Sequence, residues 1–401
     1  MIKNSEYFFV TILAFVNIFF IGSTVFLLSA TKINLMEAYA IGLAQIGLLI
    51  TVRSFVNIIL PMVFGRLSDS IGRKPVIISG IILLIGTYLT IPNFSEYYFL
   101  VITIIVMGVG FALVDATSQA VLFDAHKDPT PLMPFMQISF ASGALSAPLI
   151  VSVFLERGVD WRIAYYMNAV LVFILLILLL KVKFPPLAKT LKKEADKAAV
   201  AFKRVPSFKR EGLTLCMFIF FSSMTNSTIN EWGDIYFREV YNFSHAWSVR
   251  ALSFFQIGCV LGAVVNFWLT SKRRIHAARL LNKELLVAII AFSLSLLFNN
   301  GVVAIILFVI IGMCVGTLFS MTIGIMGSLF RENAGTVTGA IFSSGSIGIA
   351  LASAIVGNSI DIVGINSIFR ALAVVMVGAF VVSLVIKKQY NELVMEEETT
   401  T

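Results

Sequence analysis

Ten residues of this chain combine two glycines, one acid and three cations in a short link between long apolar segments: Gly65-Arg66-Leu67-Ser68-Asp69-Ser70-Ile71-Gly72-Arg73-Lys74. Gly65 and Gly72 permit close backbone approach and unusual dihedrals. Asp69 can accept from backbone donors or sit at a helix N-terminus, where negative charge is favoured. Arg73 and Lys74 can pair with an acid at a neighbouring helix end, and Asp124 is the nearest by topology. The chemistry on offer is an ionic latch that holds two bundles of helices together in one state and releases them in another. The alternative is a tight turn that only orients the chain.

A second group of residues lies inside the apolar segments. An ionisable side chain at mid-depth costs roughly 2.5–3.5 kcal/mol on insertion scales, so it needs a partner, a cavity or a function. Arg53 stands twelve residues before Gly65 and Asp115 nine before Asp124, which puts them ~18 Å and ~13 Å along a helix from one surface. Two readings stay open: Arg53 binds an anionic or hydroxyl-rich solute while Asp115 carries a coupling proton, or the two form a permanent ion pair. A polar run, Ser222 to Tyr236, supplies Asn226, Asn230 and Gly233 at helical spacing, with Glu231 and Trp232 beside them. Amides and an indole suit a sugar or polyol, through hydrogen bonds to hydroxyls and ring stacking. Counted along a straight helix, Glu231 is ~29 Å from its inner end, which would set it at the outer mouth; Trp232 and Tyr236 would then be an interfacial belt. Asn17, Gln119, Gln137 and Gln256 are further candidates to line a cavity, with helix–helix hydrogen bonding as the alternative.

The elements that hold these residues must be membrane helices. The 401 residues are 58 % hydrophobic and only 13 % charged, about half the charge of a soluble domain. The apolar runs are about twenty residues long, enough to cross a ~30 Å hydrocarbon core as helices. Barrel strands would show ~10-residue alternation instead. Twelve spans are expected, at 7–30, 39–64, 76–91, 98–122, 133–155, 162–183, 212–236, 247–270, 284–299, 302–326, 335–360 and 368–386, the ninth starting upstream near Ala277 if short. The first is too long for the apolar core of a signal peptide. The fold class is therefore all-α and polytopic: an N-terminal six-helix bundle (1–183), a basic link (184–210), a C-terminal six-helix bundle (211–388) and a tail (389–401).

The net charge of +8 does not point to nucleic acid, because the cations cluster in links between spans, where they set orientation. Lys3, Arg66, Arg73, Lys74, Lys127, Lys272, Arg273, Arg274, Arg279, Lys283, Arg331, Lys387 and Lys388, with the 181–210 cluster, fall on one side; Lys32, Arg157, Arg162, Arg238, Arg250 and Arg370 fall on the other. Both termini are expected in the cytoplasm, in a cell membrane. The link after Phe184-Pro185-Pro186 either lies on anionic lipid as a surface helix or simply joins the bundles. Cys216, Cys259 and Cys314 lie in apolar segments and read as small buried hydrophobes; His126, His245 and His276 are isolated. Neither a metal nor a cofactor is expected. The halves repeat weakly: Phe140-Ala141-Ser142-Gly143 is echoed by Phe342-Ser343-Ser344-Gly345, and Ser271-Lys272-Arg273-Arg274 is a degenerate copy of the opening stretch.

The opening stretch resembles the loop between helices 2 and 3 of the major facilitator superfamily, roughly G-x-L-x-D-x-x-G-R-K/R. Leu113-Val114-Asp115-Ala116, Ser142-Gly143 with Pro148, and Trp161-Arg162 with Tyr165 and Tyr166 are in keeping with it. The Glu231-Trp232…Tyr236 ending is similar to fucose-permease-like members. The resemblance implies a twelve-helix secondary transporter working by alternating access, with a gating motif of Gly65, Asp69, Gly72, Arg73, Lys74 and Asp124, and Asp115 at a position that can serve proton coupling. The drug-exporter arginine is absent from Thr103-Ile104-Ile105-Val106, and the full antiporter glycine pattern is absent from span 5. The expectation is a monomer that takes up a sugar or organic anion by proton symport. Efflux of amphipathic compounds is the first alternative and a membrane sensor the second; an enzyme is not expected, since no nucleophile–base pair is apparent.

Overall fold

The computed structural model describes residues 7–126, 132–185, 204–272, 277–330 and 334–393. Most of the basic link, the end of the tail, Lys127, Arg273, Arg274 and His276 lie outside the described residues, and so does the expected surface helix of the link. The helices are α1 (Phe8–Ala30), α2 (Lys32–Tyr39), α3 (Leu43–Ile71), α4 (Arg73–Asn93), α5 (Tyr97–Ala125), α6 (Met133–Glu156), α7 (Arg162–Lys181), α8 (Leu213–Tyr241), α9 (His245–Lys272), α10 (Ala277–Leu297), α11 (Gly301–Val315), α12 (Leu318–Leu329) and α13 (Ala334–Leu393). A π-helical turn, Phe208–Gly212, leads into α8.

Among the described residues, eleven helical segments are long and apolar enough to cross a membrane. The last, Gly339–Leu393, is 55 residues, or about 80 Å if straight, and it turns back at Gly364 (φ 73°, ψ 154°). It therefore crosses twice, which gives the expected twelve crossings. Backbone groups have no water to bond within hydrocarbon, so each crossing closes its own hydrogen bonds as a helix.

Several boundaries differ from expectation. The expected link Gly65–Lys74 is mostly helical, because α3 runs on to Ile71 and the chain breaks only at Gly72 (φ 98°, ψ 157°). Nothing between the two glycines forbids helix, and a single interior glycine costs only ~1 kcal/mol. Span 7 extends to Tyr241, five residues beyond the expected end at Tyr236. Span 9 begins at Ala277. Span 10 is broken between Val315 and Leu318.

Helices α1 and α3–α7 pack on one another, and α8–α13 do the same; α3 with α13, α6 with α9, and α1 with α8 join the two sets. The sets use small residues alike. A Cβ on Gly143 of α6 would lie 1.8 Å from the Phe19 carbonyl of α1, and one on Gly348 of α13 would lie 2.5 Å from the Phe220 carbonyl of α8. Helices with no hydrophobic drive between them in lipid associate through such close backbone contact.

Candidate functional site

The Arg53 guanidinium, on α3, donates from Nη2 to Glu231 Oε1 of α8 at 2.6 Å, with side chains 8 % and 6 % exposed. This corrects the placement of Glu231 at an outer mouth: α8 continues ten residues past it to Tyr241, so the carboxylate is well inside the helix. It also removes the Arg53–Asp115 ion pair as an option. Asp115 instead accepts from Gln119 Nε2 on its own helix at 3.1 Å.

One turn beyond Glu231 stands Asp234, whose Oδ1 is 2.6 Å from Lys32 Nζ; the two side chains are 1 % and 2 % exposed. Lys32 also donates to the Glu231 carbonyl, and its ammonium lies 5.3 Å from the centroid of the Trp232 ring. Trp232 is fully buried and in this state offers no free face for stacking. Lys32 and Asp234 were not singled out by sequence. Lys32 read as an exterior cation because its partner is remote in the chain. Asp234 could have been found, since it extends the Asn230–Glu231 face by one helical turn.

Beside the ion pairs runs a chain of amides. Gln256 Nε2 of α9 donates to Asn230 Oδ1 at 2.7 Å, and Asn230 Nδ2 donates to the Asn226 carbonyl at 2.9 Å and to its side chain at 2.5 Å. The Asn230 carbonyl accepts from Ser29 of α1 at 2.8 Å. Arg53 Nη1, Glu231 Oε2 and Asp234 Oδ2 are buried with no partner, so the pairs retain hydrogen-bonding capacity. Asn17 donates to Ser118 at 3.1 Å, tying α1 to α5 one turn from Asp115. Gln137 is exposed on α6 and belongs to neither group.

Among the described residues, the polar bridges between the two sets of helices run from the end that carries the α1–α2 corner to mid-helix. Besides those above, Arg250 of α9 pairs with Glu156 of α6 at 2.5 Å. Ser343 and Ser346 of α13 reach the Ile58 and Asn57 carbonyls at the middle of α3. At the opposite end Arg73 Nε pairs with Asp124 at 2.7 Å and Nη1 with Asp69 at 2.6 Å, while donating to Ser68 at 2.6 Å. Lys74 donates to the Leu180 and Val182 carbonyls at 2.8 and 3.0 Å. Arg73, Asp124 and Lys74 all belong to the N-terminal set, so among the described residues these contacts brace one half. Gly65 lies within α3 and Gly72 forms the corner.

The groups that converge here are hydrogen-bonding and ionic. Among the described residues no cluster of metal-ligating side chains occurs. A cavity of about 470 Å³ opens beside the α8 C-terminus and the turn at Gly364, away from the ion pairs.

Comparison with known proteins agrees with this architecture. The chain is 23 % identical over 334 residues to an uncharacterized MFS-type transporter, YfkL, of Bacillus subtilis (strain 168), covering 83 % of this chain and 84 % of the relative. It is 22 % identical over 294 residues to the glucose/mannose transporter GlcP of the same organism, covering 71 % and 72 %. Its fold superposes on the crystal structure of the nucleoside transporter NupG with TM-score 0.71 at 15 % identity, over 94 % of this chain and 98 % of that one. A bacterial homolog of the human lysosomal transporter Spinster, in an inward-facing and occupied conformation, gives 0.67 at 15 % identity, over 96 % of each chain. The family model of the Major Facilitator Superfamily matches residues 8–353. The chain, with its twelve helical crossings in two packed sets, belongs to the major facilitator superfamily of membrane transporters.

Proposed function

We propose that this transporter moves a small polar solute, a sugar or organic anion, across a cell membrane by alternating access and proton symport. The observation that carries the reading is the buried Arg53–Glu231 pair, which joins the two halves at mid-helix beside the Asn226–Asn230–Gln256 amides. A guanidinium, a carboxylate and three amides match the hydroxyls of a polyol or the carboxylate of an acid. Solute groups that compete for Arg53 or Glu231 would loosen the bridge between halves and so link occupancy to movement. Asp115 is the proposed proton carrier. The names of GlcP and NupG, a glucose/mannose and a nucleoside transporter, favour a hydroxylated solute.

The moving bodies are residues 1–183 and 211–388, with both termini cytoplasmic and the protein a monomer. In that orientation the end closed by Lys32–Asp234 and Arg250–Glu156 faces outward, and the Arg73–Asp124 brace stiffens the cytoplasmic corner of the N-terminal half. Reconstitution in liposomes with an imposed pH gradient, screened with labelled hexoses, nucleosides and organic acids, tests the reading. Accumulation that follows the proton gradient is expected for at least one class. Gradient-independent uptake would remove symport, and extrusion of amphipathic dyes without uptake of polar solutes would replace it by efflux.

A further inference from the structure

The cavity beside the end of α8 has no part in the site described above. Its volume of about 470 Å³ is within the range of small-molecule sites, and it lies wholly in the C-terminal half. Its walls come from the last turns of α8, the end of α10, and the helix that resumes after Gly364. The inner wall is firmly packed. The Tyr236 ring stacks on Phe369 with centroids 4.0 Å apart, and Tyr241 donates to the Ser295 carbonyl at 2.6 Å. At the turn itself a Cβ on Gly364 would meet nothing within 4 Å, so the space is open there.

Two charges of opposite sign line this cavity, Glu239 of α8 and Arg370 of α13. Among the described residues neither forms an ion pair, with the other or with any third group. Every link at this end of the molecule lies within the described residues: 31–42, 94–96, 157–161, 242–244, 298–300 and the turn at Gly364. The helix ends reinforce each sign. Glu239 stands in the last turn of α8, and α10 also ends at the cavity, so two C-terminal ends add partial negative charge beside it. Arg370 and Asn366 stand in the first two turns after Gly364, where free N–H groups favour an anion. The cavity therefore has one pole for a cation and one for an anion. Its lip is apolar: Leu297, on the lining, is 78 % exposed, and Ile362, beside the turn, is 82 % exposed. The 29 residues of α8 span about 43 Å, close to the ~40–45 Å of a bilayer with its headgroups, which sets the last turn of α8 at headgroup depth.

We propose that this cavity is a second binding site, separate from the Arg53–Glu231 pair, and that it takes an ammonium–phosphate zwitterion, the headgroup of an aminophospholipid. The phosphate sits on Arg370 and Asn366, the ammonium on Glu239, and the acyl chains leave over Leu297 into the bilayer. A primary ammonium has three hydrogens to donate to the Glu239 carboxylate; a trimethylated one has none. An anionic headgroup without an amine leaves Glu239 unmatched. The site does not depend on which solute is carried or on whether uptake is proton-driven.

Native mass spectrometry of the purified full-length protein, titrated with dioleoyl phosphatidylethanolamine, phosphatidylcholine or phosphatidylglycerol, tests it. Wild type should hold phosphatidylethanolamine about fivefold more tightly than either of the others, the worth of one solvent-accessible ion pair. Glu239→Gln should bring phosphatidylethanolamine and phosphatidylcholine to the same affinity. Arg370→Gln should weaken both alike, by a similar factor. One arm needs no variant. Glycerophosphoethanolamine, the same headgroup without acyl chains, should displace phosphatidylethanolamine from wild type only in large excess. Displacement at equal concentration would make the ligand a soluble zwitterion and overturn the lipid assignment. Equal affinity of wild type for the three lipids, or a preference that survives both substitutions, would overturn the site.

Discussion

At the scale of single residues, two buried ion pairs join α8 to the N-terminal half. Removing one partner of a buried pair leaves the other charge uncompensated, at a cost of about 3–5 kcal/mol. Glu231→Ala alone should therefore lower the thermal unfolding midpoint sharply. The double variant Arg53→Ala/Glu231→Ala should recover much of the loss, because no orphan charge remains. Thermal unfolding of the single and double variants in the same lipid checks this, and strictly additive losses would show that the two groups do not interact. For Asp115→Asn the expected outcome is a separation of two activities in liposomes: solute exchange persists while accumulation against a pH gradient disappears. Retained accumulation would take the coupling proton away from Asp115. The residues of this site were legible in part. Charged and amide groups inside apolar runs stand out because membrane burial is costly. Their pairings did not, since Arg53 and Glu231 are 178 positions apart and Lys32 and Asp234 are 202 apart. Lys32 carries a type that ordinarily marks a loop, and only its distant partner reveals that it is buried.

At the scale of elements, the apolar runs made the helices readable, and glycines decide how closely they pack. A Cβ on Gly47 of α3 would lie 2.7 Å from the Ser353 carbonyl and 2.8 Å from the Gly357 Cα, both on α13 across the seam between halves. Gly143 makes its close contact within one half, 1.8 Å from the Phe19 carbonyl. Overpacking a tight contact costs about 1–3 kcal/mol, and the two sites should spend that cost differently. Gly143→Ala should reduce the yield and midpoint of the folded protein. Gly47→Ala should leave the folded yield near normal and wedge the α3–α13 seam, raising the thiol-labelling rate of a cysteine placed at Ser29. Equal loss of fold in both would mean that the seam is not a movable contact. Boundaries were the least legible feature. Span 7 is expected to stop at Tyr236, whereas α8 is 29 residues long, or about 43 Å, and extends past it. The break at Gly316–Thr317 carries no proline and only one glycine, so local propensity does not mark it.

At the scale of the whole molecule, the two halves are held together at the end carrying the α1–α2 corner. The Arg73–Asp124 latch, by contrast, lies inside one half. Neutralising that latch with Asp124→Asn should slow transport by loosening the start of α4 from the end of α5, without changing the separation of the halves at the far end. The resemblance between the two halves was visible in short echoes such as Ser142-Gly143 and Ser344-Gly345. Which end is closed was not, because closure depends on contacts between halves that have no local pattern. The central claim is that the buried pairs Arg53–Glu231 and Lys32–Asp234 keep this end shut and must part for the transporter to turn over. Spin labels at Tyr98→Cys on α5 and Ile362→Cys on α13, both highly exposed at the closed end, report the separation directly by electron double resonance, with the buried native cysteines replaced. The expected result is a predominantly short distance in the parent protein, and a second, longer population once Glu231→Gln and Asp234→Asn are introduced together. A distance distribution unchanged by those two substitutions would contradict the claim.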